Sequence, residues 1–432
     1  LNPSWFCCQD SRRPSSNPAF MVRISTSSSL SRAKRAGRGP ISGRQCLTKA
    51  GRRKIRVGFV VGKNFDPIRQ GTQDRLYPKR LRVLNNTGPS ASGWGGMFHI
   101  DVSVALKMAR LYSDLVEVDI ITGPEVCASR LRRNHVNFNF FFDVVIAEYN
   151  AGRARANCVK GLFKNPDCRM WPSFDYYDWV CTKSRYMKQC RRAGIPIIDT
   201  IFVDGKLHPE KLLKQIQAKG WDRFFIKNGS YVCFGNGAVH GRTKDFFEDP
   251  SLLHQFVKEN PGIQSFLVQP YTLKPNGNVF DEVRNFFIDG CWAYSVYTDG
   301  TDDDAVFEQP AGAVKDVCRG LAERAYKEVL KVAKWHGRKT APLMCRIDVG
   351  VVPRKSEPAG VHAFLNEIEC EVSTWLPRYC PFDLSTAVAE ASARKTAELV
   401  QGLLRAGVRM KDAPALQELA KDLEVRAAPR EA

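Results

Sequence analysis

The sequence lacks the features of membrane proteins and of cysteine-rich metal proteins. Among its 432 residues no apolar run approaches the roughly 18 residues of a membrane-spanning helix. Its 14 cysteines are scattered, and the local pairs Cys7 with Cys8 and Cys370 with Cys380 do not have the spacing of a zinc site. We therefore expect no contact with a membrane, and the dispersed cysteines indicate a reducing compartment.

Histidine is equally sparse, and the chain contains no internal repeat. No cysteine has an evident partner base in the sequence, so each is expected to behave as a small hydrophobic residue. The histidines are too dispersed to predict a metal site or a catalytic triad: His99, His135, His208, His240, His254, His336 and His362.

Acidic residues are absent from a long stretch near the start of the sequence. From Ser11 to Phe65 there is no Asp or Glu, whereas fourteen Lys and Arg residues fall there. The formal net charge of the chain is +20, so the rest of the chain carries 20 − 14, or +6. A charge of +20 is typical of nucleic-acid binding, but its concentration in one stretch does not favour that function for the folded part.

Residues 1–54 predict a disordered basic leader. This segment is rich in Ser and Arg, begins with Leu1 and contains an internal Met21 that a Ser-rich run follows. Such a composition is typical of an organellar transit peptide, so we expect a plastid or a mitochondrion as the destination, with Met21 as the initiator. Without a transit peptide the protein would be cytoplasmic. A merely disordered tail and a weak nucleic-acid-binding arm are the alternatives.

Three carboxylates lie in two strand-like runs of the C-terminal third. Asp348 belongs to Arg346-Ile-Asp348-Val, and the other two belong to Phe364-Leu-Asn-Glu367-Ile-Glu369. Because residues two apart on a strand point to the same face, Glu367 and Glu369 should project together, with Asp348 beside them. Carboxylate oxygens, together with substrate phosphates, are the ligands that Mg²⁺ prefers. A solvated acidic strand is the alternative.

Residues 55–170 predict an α/β lobe with a mostly parallel sheet. Apolar, β-branched runs at 54–62, 116–121 and 140–147 predict strands, and residues 99–111 have the apolar spacing of a helix. Strands that alternate with helices are typical of parallel sheets. The glycine-rich loop at 85–96 does not have the order of a dinucleotide or Walker motif, so we interpret it as a turn or a substrate loop.

A second unit begins near Trp171 and contains two lysines of interest. The stretch 179–194, which includes Lys183, predicts an amphipathic helix that ends at Gly194; residues 195–203 predict a strand and residues 209–220 a helix. The run 222–227 predicts a strand whose final residue, Lys227, leads into a glycine-containing loop. This combination is typical of nucleotide sites, because the lysine supplies charge to a phosphate and the loop backbone can approach it. A solvated lysine is the alternative.

The last part of the chain predicts an antiparallel sheet and long helices. Strands are expected at 264–271, 281–290 and 292–298, and again in the two runs that carry the carboxylates. Helices are expected at 311–336, 385–405 and 413–426.

In chain order these elements resemble the ATP-grasp superfamily, in the manner of glutathione synthetase, D-alanine–D-alanine ligase and the ribosomal-protein glutamate ligases. The segment from Lys183 to Ala193-Gly-Ile-Pro is similar to a family segment that begins with Asp-Lys and ends in Ala-Gly-Ile-Pro. The resemblance covers about residues 171–395. Its other landmarks follow with family-like spacing: Lys227, Glu282, Arg284, Arg346, Asp348 and Glu367.

The resemblance implies a fold class of α/β with α+β character and a domain order. A parallel α/β domain at 55–170 would precede a two-lobed ATP-grasp unit at 171–395, which has an antiparallel sheet and a lid at about 183–270. A helical tail would follow at 396–432.

The same matches imply residues that bind ATP. Lys183 and Lys227 would bind phosphates, and Gly229 and Ser230 would line the phosphate site. Val268 and Gln269 would contact adenine through backbone groups, and Glu282 would bind ribose or a metal.

Metal and catalytic roles follow from the resemblance too. Asp348, Glu367 and Glu369 would bind Mg²⁺ or Mn²⁺, Arg284 would contact phosphate or substrate, and Arg346 would stabilise the tetrahedral intermediate. A cross-strand surface pair of Glu282 with Arg284, and a structural salt bridge of Arg346, are the alternatives. The family usually has Asn at the position of Glu369, and a carboxylate can replace that amide oxygen. The segment that follows lacks the family's glycine-bearing turn near the substrate.

The implied activity is the ATP-dependent joining of a carboxylate to an amine through an acyl phosphate, with release of ADP and phosphate. ATP and Mg²⁺ would be the cofactors, and the substrates would be small molecules such as an amino acid or a peptide. A homodimer is compatible with the resemblance. The alternative is an inactive nucleotide-binding regulatory protein of the same fold, which the replacement of Asn by Glu369 would explain.

Overall fold

A computed structural model of the protein describes residues 51, 53–61, 67–69, 97–122, 125–140, 153–229, 238–259, 265–271, 274, 280–299, 307–308, 310, 312–369 and 379–428. Nearly all of the leader, the glycine-rich loop at 85–96, and Ser230 lie outside these residues, as does most of the strand predicted at 140–147. Within the described residues no helix is long and apolar enough to cross a membrane.

The N-terminal lobe is built on a parallel sheet, as predicted. Its elements are β1 (Ile55–Val61), β2 (Pro67–Arg69), β3 (Met97–His99), α1 (Ile100–Leu111), β4 (Val116–Thr122), α2 (Ala128–Leu131), β5 (Val136–Asn139), α3 (Arg153–Lys164) and β6 (Met170–Trp171). The sheet has the strand order β4-β1-β5-β6, so β1 has a neighbour on each side and its apolar residues are buried.

Strand β5 was not predicted from the sequence. It ends at Asn139, and of the strand predicted at 140–147 only Phe140, the residue after β5, is described. Asparagine is uncommon in strands, which hides β5 in the sequence. The structure accommodates Asn137 because its buried amide nitrogen donates to the carbonyl oxygens of Leu131 at 2.9 Å and Cys168 at 2.7 Å.

The next part of the chain forms a four-stranded antiparallel sheet with helices packed on it. The strand order is β7-β10-β8-β9, and the apolar face of the sheet packs against α6. The elements are α4 (Phe174–Cys181), α5 (Lys183–Arg192), β7 (Ile201–Asp204), α6 (Pro209–Ala218), β8 (Arg223–Asn228), β9 (Ala238–Arg242), α7 (Thr243–Glu248), α8 (Ser251–Glu259) and β10 (Ser265–Pro270).

Two helices replace the single helix predicted at 179–194, and the predicted strand at 195–203 is shorter. Thr182 leaves the helical conformation (φ −106°, ψ 79°), and its hydroxyl donates to the carbonyl oxygen of Asp178 at 2.8 Å. Gly194 ends α5 in the left-handed region (φ +72°), as predicted. The break makes Lys183 the first residue of α5.

A five-stranded antiparallel sheet in the order β13-β12-β11-β16-β17 completes the core. Helix α9 covers one of its faces, so the alternate, polar residues of the strands are directed to the other face. The elements are β11 (Asp281–Ile288), β12 (Cys291–Thr298), β13 (Phe307–Glu308), α9 (Gly312–Val332), β14 (Lys334–Trp335), β15 (Arg338–Lys339), β16 (Met344–Pro353) and β17 (Val361–Glu369).

Helix α9 is shorter than the helix predicted at 311–336. It ends at Val332, and the short strands β14 and β15 follow as a hairpin. His336 (φ +45°) and Gly337 (φ +79°) form the turn of this hairpin in the left-handed region, which a helix cannot contain.

The two C-terminal helices, α10 (Leu384–Arg405) and α11 (Ala413–Arg426), lie where they were predicted. They do not form a separate layer, because α10 packs along α1 and shares the apolar core of the N-terminal lobe. The buried Lys395 of α10 also lies 2.7 Å from Asp289 in the turn between β11 and β12. The domain boundary expected at 395/396 falls inside α10.

Candidate active site

The three predicted carboxylates lie together on the face of the five-stranded sheet that α9 does not cover. Asp348 in β16 is directly opposite Glu367 in β17. Carboxylate oxygens of Asp348, Glu367 and Glu369 all lie within 4.8 Å of one another. Since Asp348 is 1% exposed and Glu369 is 8% exposed, this is not a solvated acidic strand.

A β-bulge adds a further polar side chain to the cluster. Asp348 pairs with Glu367, but the next residue, Val349, pairs with Leu365, so Asn366 is the extra residue. The amide nitrogen of Asn366 donates to Glu282 Oε2 at 2.7 Å. No pattern in the sequence predicts this bulge or the contact that Asn366 makes.

Arg346 is the counter-ion of two of the carboxylates. Its Nε and Nη2 donate to the two oxygens of Asp348 at 2.8 and 2.7 Å, and Nη2 lies 2.8 Å from Glu369 Oε2. Burial alone would lower the pKa of Arg346, but the two carboxylates raise the pKa well above its ordinary value. The guanidinium therefore stays charged and holds Asp348 and Glu369 in place.

The carboxyl groups of the cluster have opposite pKa shifts. Burial raises the pKa of Asp348 to about 7 against the charge of Arg346, and the Glu282 and Glu369 carboxylates add to the rise. Burial also favours the protonated form of Glu367, but the ammonium groups of Lys183 and Lys227 lower its pKa below the usual value. A bound cation would favour the ionised form of both groups.

Lys183 connects α5 to the carboxylate cluster. Its Nζ lies 2.8 Å from Glu367 Oε1, and both side chains are largely buried. Tyr186, one turn further along α5, accepts a hydrogen bond from the backbone N–H of Ile368 at 3.3 Å. This tyrosine fixes α5 against β17, and no pattern in the sequence predicts its role.

Lys227 lies at the end of β8, beside Lys183. Burial lowers its pKa to about 8, and the nearby Lys183 ammonium adds to the effect. Its Nζ lies 5.1 Å from the centroid of the Phe225 ring. Two cationic groups this close favour an anion, such as a phosphate, between them.

Gly229 is the point at which the two lysine-bearing elements meet. Its N–H donates to the carbonyl of Ser265 at 2.8 Å, and its carbonyl accepts from the N–H of Ser184 at 3.1 Å. A Cβ at this position would lie 2.8 Å from Ser265 Oγ and 2.9 Å from Ser184 Cβ, closer than real Cβ atoms come. Only glycine therefore allows β8 to reach the first turn of α5.

Glu282 and Arg284 lie on the same face of β11, next to the cluster. Arg284 Nε donates to Glu282 Oε1 at 2.8 Å, and Arg284 is directly opposite Asp348 in the sheet. Burial opposes ionisation of Glu282, but Arg284 and Arg346 lower its pKa below the usual value. The pair belongs to the site and is not an exposed surface pair, because the two side chains are 13% and 25% exposed.

Val268 and Gln269 lie in β10, at the end of its ladder with β7. The register with β7 ends at Val268, whereas the register with β8 continues through Gln269. The Gln269 amide nitrogen donates to Thr200 Oγ1 at 3.1 Å. Gln269 thus lies beyond the described ladder with β7, and both residues are buried.

Comparisons with known proteins identify the fold. No protein-family model matches the sequence, and no curated protein matches it. Among solved structures, D-cycloserine synthetase DcsG is similar at a TM-score of 0.50 and 15% identity, over 68% of this chain and 94% of that chain. D-alanine–D-alanine ligase from Bacillus anthracis matches at a TM-score of 0.46 and 13% identity, over 86% and 98% of the two chains. The ATP-grasp ligase PsnB matches at 0.46 and 13%, over 78% and 97%.

The likeness to DcsG, together with the order of the sheets, identifies the fold. A parallel lobe, a four-stranded antiparallel sheet and a five-stranded antiparallel sheet follow one another as the resemblance predicted. The chain has the ATP-grasp fold. At 15% identity the likeness shows the fold alone, so the roles of individual residues depend on the geometry of the site.

Proposed function

We propose that this protein is an ATP-dependent ligase that joins a carboxylate to an amine through an acyl phosphate and releases ADP and phosphate. One observation carries the proposal. Three clustered carboxylates face two neighbouring lysines, and an arginine contacts the carboxylates on the same sheet face. Such a set of charges suits phosphoryl transfer, which depends mainly on positioning and on neutralising the triphosphate.

The donor set suits Mg²⁺ or Mn²⁺. Asp348, Glu367 and Glu369 offer hard oxygen ligands within 4.8 Å of one another. Burial raises the pKa of Asp348, the Glu282 and Glu369 carboxylates add to the rise, and a bound cation would favour the ionised form of Asp348. These residues would hold the ion, which when bound would neutralise charge on the phosphates and orient them.

The lysines and the hinge strand would position ATP. Lys183 and Lys227 would bind its phosphates near Gly229. The backbone at Val268 and Gln269 would meet adenine, and Glu282 would be within reach of the ribose. These residues would hold the triphosphate next to the carboxylates proposed to bind the metal, so that the reacting groups are brought together.

The proposed reaction has two steps. A carboxylate oxygen of the acid substrate attacks the γ-phosphorus, and ADP leaves. The amine nitrogen then attacks the acyl carbon, loses a proton to solvent, and phosphate leaves. Arg346, held against Asp348 at 2.7 Å, would stabilise the negative oxygen of the tetrahedral intermediate, and Arg284 would contact the phosphate or the acid.

Release of ADP in the presence of Mg²⁺ and a panel of amino acids and small acids tests the proposal. Turnover should require Mg²⁺, an acid and an amine, and Asp348→Asn or Lys227→Ala should reduce it about 100-fold or more. Asp199→Asn and Lys219→Ala serve as matched controls. Lys219 Nζ lies 2.8 Å from Asp199 Oδ2, and this exposed pair is not part of the cluster.

The inactive alternative gives a different result. A protein that uses the site only to sense nucleotide would bind ATP with Mg²⁺ and release no ADP with any pair of the panel. Unchanged turnover in both site variants would instead mean that the residues are wrongly assigned.

A further inference from the structure

A small cavity lies at the carboxyl ends of β5 and β6, and none of its lining residues belongs to the carboxylate cluster or the two lysines. Its volume is about 10 Å³, close to the space that one water-sized group requires. Its walls come from both lobes and include Phe138, Asn139, Phe140, Trp171, Leu343 and Met344.

Two buried polar atoms at this cavity have no hydrogen-bond partner. They are Asn139 Oδ1, an acceptor, and Trp171 Nε1, a donor. Asn139 is 7% exposed and Trp171 is 0% exposed. Native proteins seldom leave such atoms unpaired, because an unpaired buried polar atom destabilises the fold. Two of the residues that line the cavity therefore each have an unpaired polar atom, one an acceptor and one a donor.

The cavity adjoins the candidate active site. Met344 and Arg346 are two residues apart on β16, so they point to the same face of the sheet, about 7 Å apart along the strand. The other wall is the carboxyl end of a parallel sheet, which is where ligands bind in open α/β folds. A substrate that reacts beside Arg346 can thus extend a small group into the cavity.

We infer that this cavity is a substrate subsite that binds a neutral hydroxyl group of one of the two substrates, an inference that rests on the proposed ligase function. None of the described residues that line it is ionisable, so it excludes a carboxylate and an ammonium group. A hydroxyl donates one hydrogen bond and accepts another, which matches Asn139 Oδ1 and Trp171 Nε1. A single oxygen also fits the volume.

Binding of matched compounds tests the subsite. Isothermal titration of the protein, with Mg²⁺ and a non-hydrolysable ATP analogue, compares serine with alanine in both enantiomers, and lactate with propionate. At least one hydroxylated compound should bind about tenfold or more tightly than its partner, since a site built to pair a hydroxyl rejects the analogue without it. If no pair differs, the cavity holds only ordered water and the inference is overturned.

Two variants locate the hydroxyl. Trp171→Phe removes the donor and Asn139→Leu removes the acceptor, and each should reduce the preference to about threefold or less while the affinity for the ATP analogue is kept. Trp221→Phe, in the four-stranded-sheet lobe, is the matched control and should keep the preference. A preference that persists in both cavity variants places the hydroxyl elsewhere and overturns the inference.

The failure of this inference is distinguishable from that of the proposed function. Hydroxyl-dependent binding without ADP release would support the subsite and contradict the ligase. ADP release with equal rates for the hydroxylated and the unsubstituted compounds would support the ligase and contradict the subsite.

Discussion

Lys183 Nζ lies 2.8 Å from Glu367 Oε1, so a residue proposed to bind phosphate is paired with a residue proposed to bind metal. Either ligand must loosen this pair in order to bind. Once one ligand has separated the two side chains, the other binds more readily, and the coupling is the same in both directions. With the proposed roles, metal and ATP would therefore enter the site together.

Replacing Lys183 should have opposite effects on the two ligands. In Lys183→Met, affinity for ATP with Mg²⁺ should fall about 10-fold or more, because a phosphate contact is lost. Affinity for Mg²⁺ alone should rise by about 10-fold, because Glu367 no longer has a competing cation. Isothermal titration measures both. Lys188→Met is the control: Lys188 lies on the same helix as Lys183 and pairs with Asp204 of β7, away from Glu367. A joint loss of both affinities would contradict the coupling.

The pKa of Lys227 predicts how ATP affinity depends on pH. Because its pKa is about 8, the ammonium group loses its proton above that value and attraction for phosphate weakens. Affinity for ATP should fall by up to about 10-fold per pH unit above pH 8, a range in which Asp348, with a pKa of about 7, is already ionised. Lys227→Arg should give a flat profile there, since arginine keeps its charge. Equal slopes in the two proteins would refute the assignment.

Removing Arg346 should destabilise the protein strongly. Arg346→Leu leaves Asp348 and Glu369 buried without their counter-ion, which should lower the free energy of unfolding by about 3–5 kcal/mol. Added Mg²⁺ should restore part of this loss by binding the same carboxylates. Urea denaturation with and without Mg²⁺ measures both effects.

An exposed arginine provides the comparison for Arg346. Arg319 forms an i,i+4 pair with Glu323 at 2.8 Å on the surface of α9. Arg319→Leu loses this pair and a cation–π contact with Trp292, so it should cost about 1 kcal/mol, with no response to Mg²⁺. Similar losses in both variants would mean that the carboxylate cluster does not depend on Arg346.

Stability should decrease in mild acid because of His135. Its Nδ1 accepts a hydrogen bond from the backbone N–H of Arg56 at 2.9 Å, and burial lowers its pKa from 6.5 to about 4, with the charge of Arg169 adding to the effect. The unfolded chain binds a proton below pH 6.5 while the folded protein does not. This contribution is therefore complete above pH 6.5 and is lost as the pH falls towards 4, by at most about 3 kcal/mol.

His135→Asn isolates this effect, because asparagine keeps an acceptor for the Arg56 N–H but does not titrate. The difference in unfolding free energy between the variant and the original protein should change sharply between pH 6.5 and 4 and stay constant above pH 7. A constant difference across the whole range would show that His135 is not the group responsible.

Features set by local periodicity were predictable from the sequence. Helices α10 and α11 were predicted from apolar spacing alone, and the parallel lobe from the alternation of strands and helices. The clustering of Asp348 with Glu367 and Glu369 followed from the two-residue period of a strand.

Features set by contacts distant in sequence were not predictable. The bulge that adds Asn366 depends on the register between β16 and β17, and the pattern within either strand does not contain it. Strand β5 was missed because Asn137 is stabilised by the carbonyls of two other segments. The pairing of Lys183 with Glu367 joins residues 184 positions apart.

The packing of α10 on α1 also has a consequence for the order of folding during translation. The ribosome completes β1, α1 and the rest of the parallel sheet long before α10 emerges, yet α10 supplies part of the apolar core of that lobe. Until then the nascent lobe exposes the apolar surface that α10 later covers. That surface stays open from the synthesis of α1 until α10 leaves the exit tunnel, and exposed apolar surface of this kind favours aggregation.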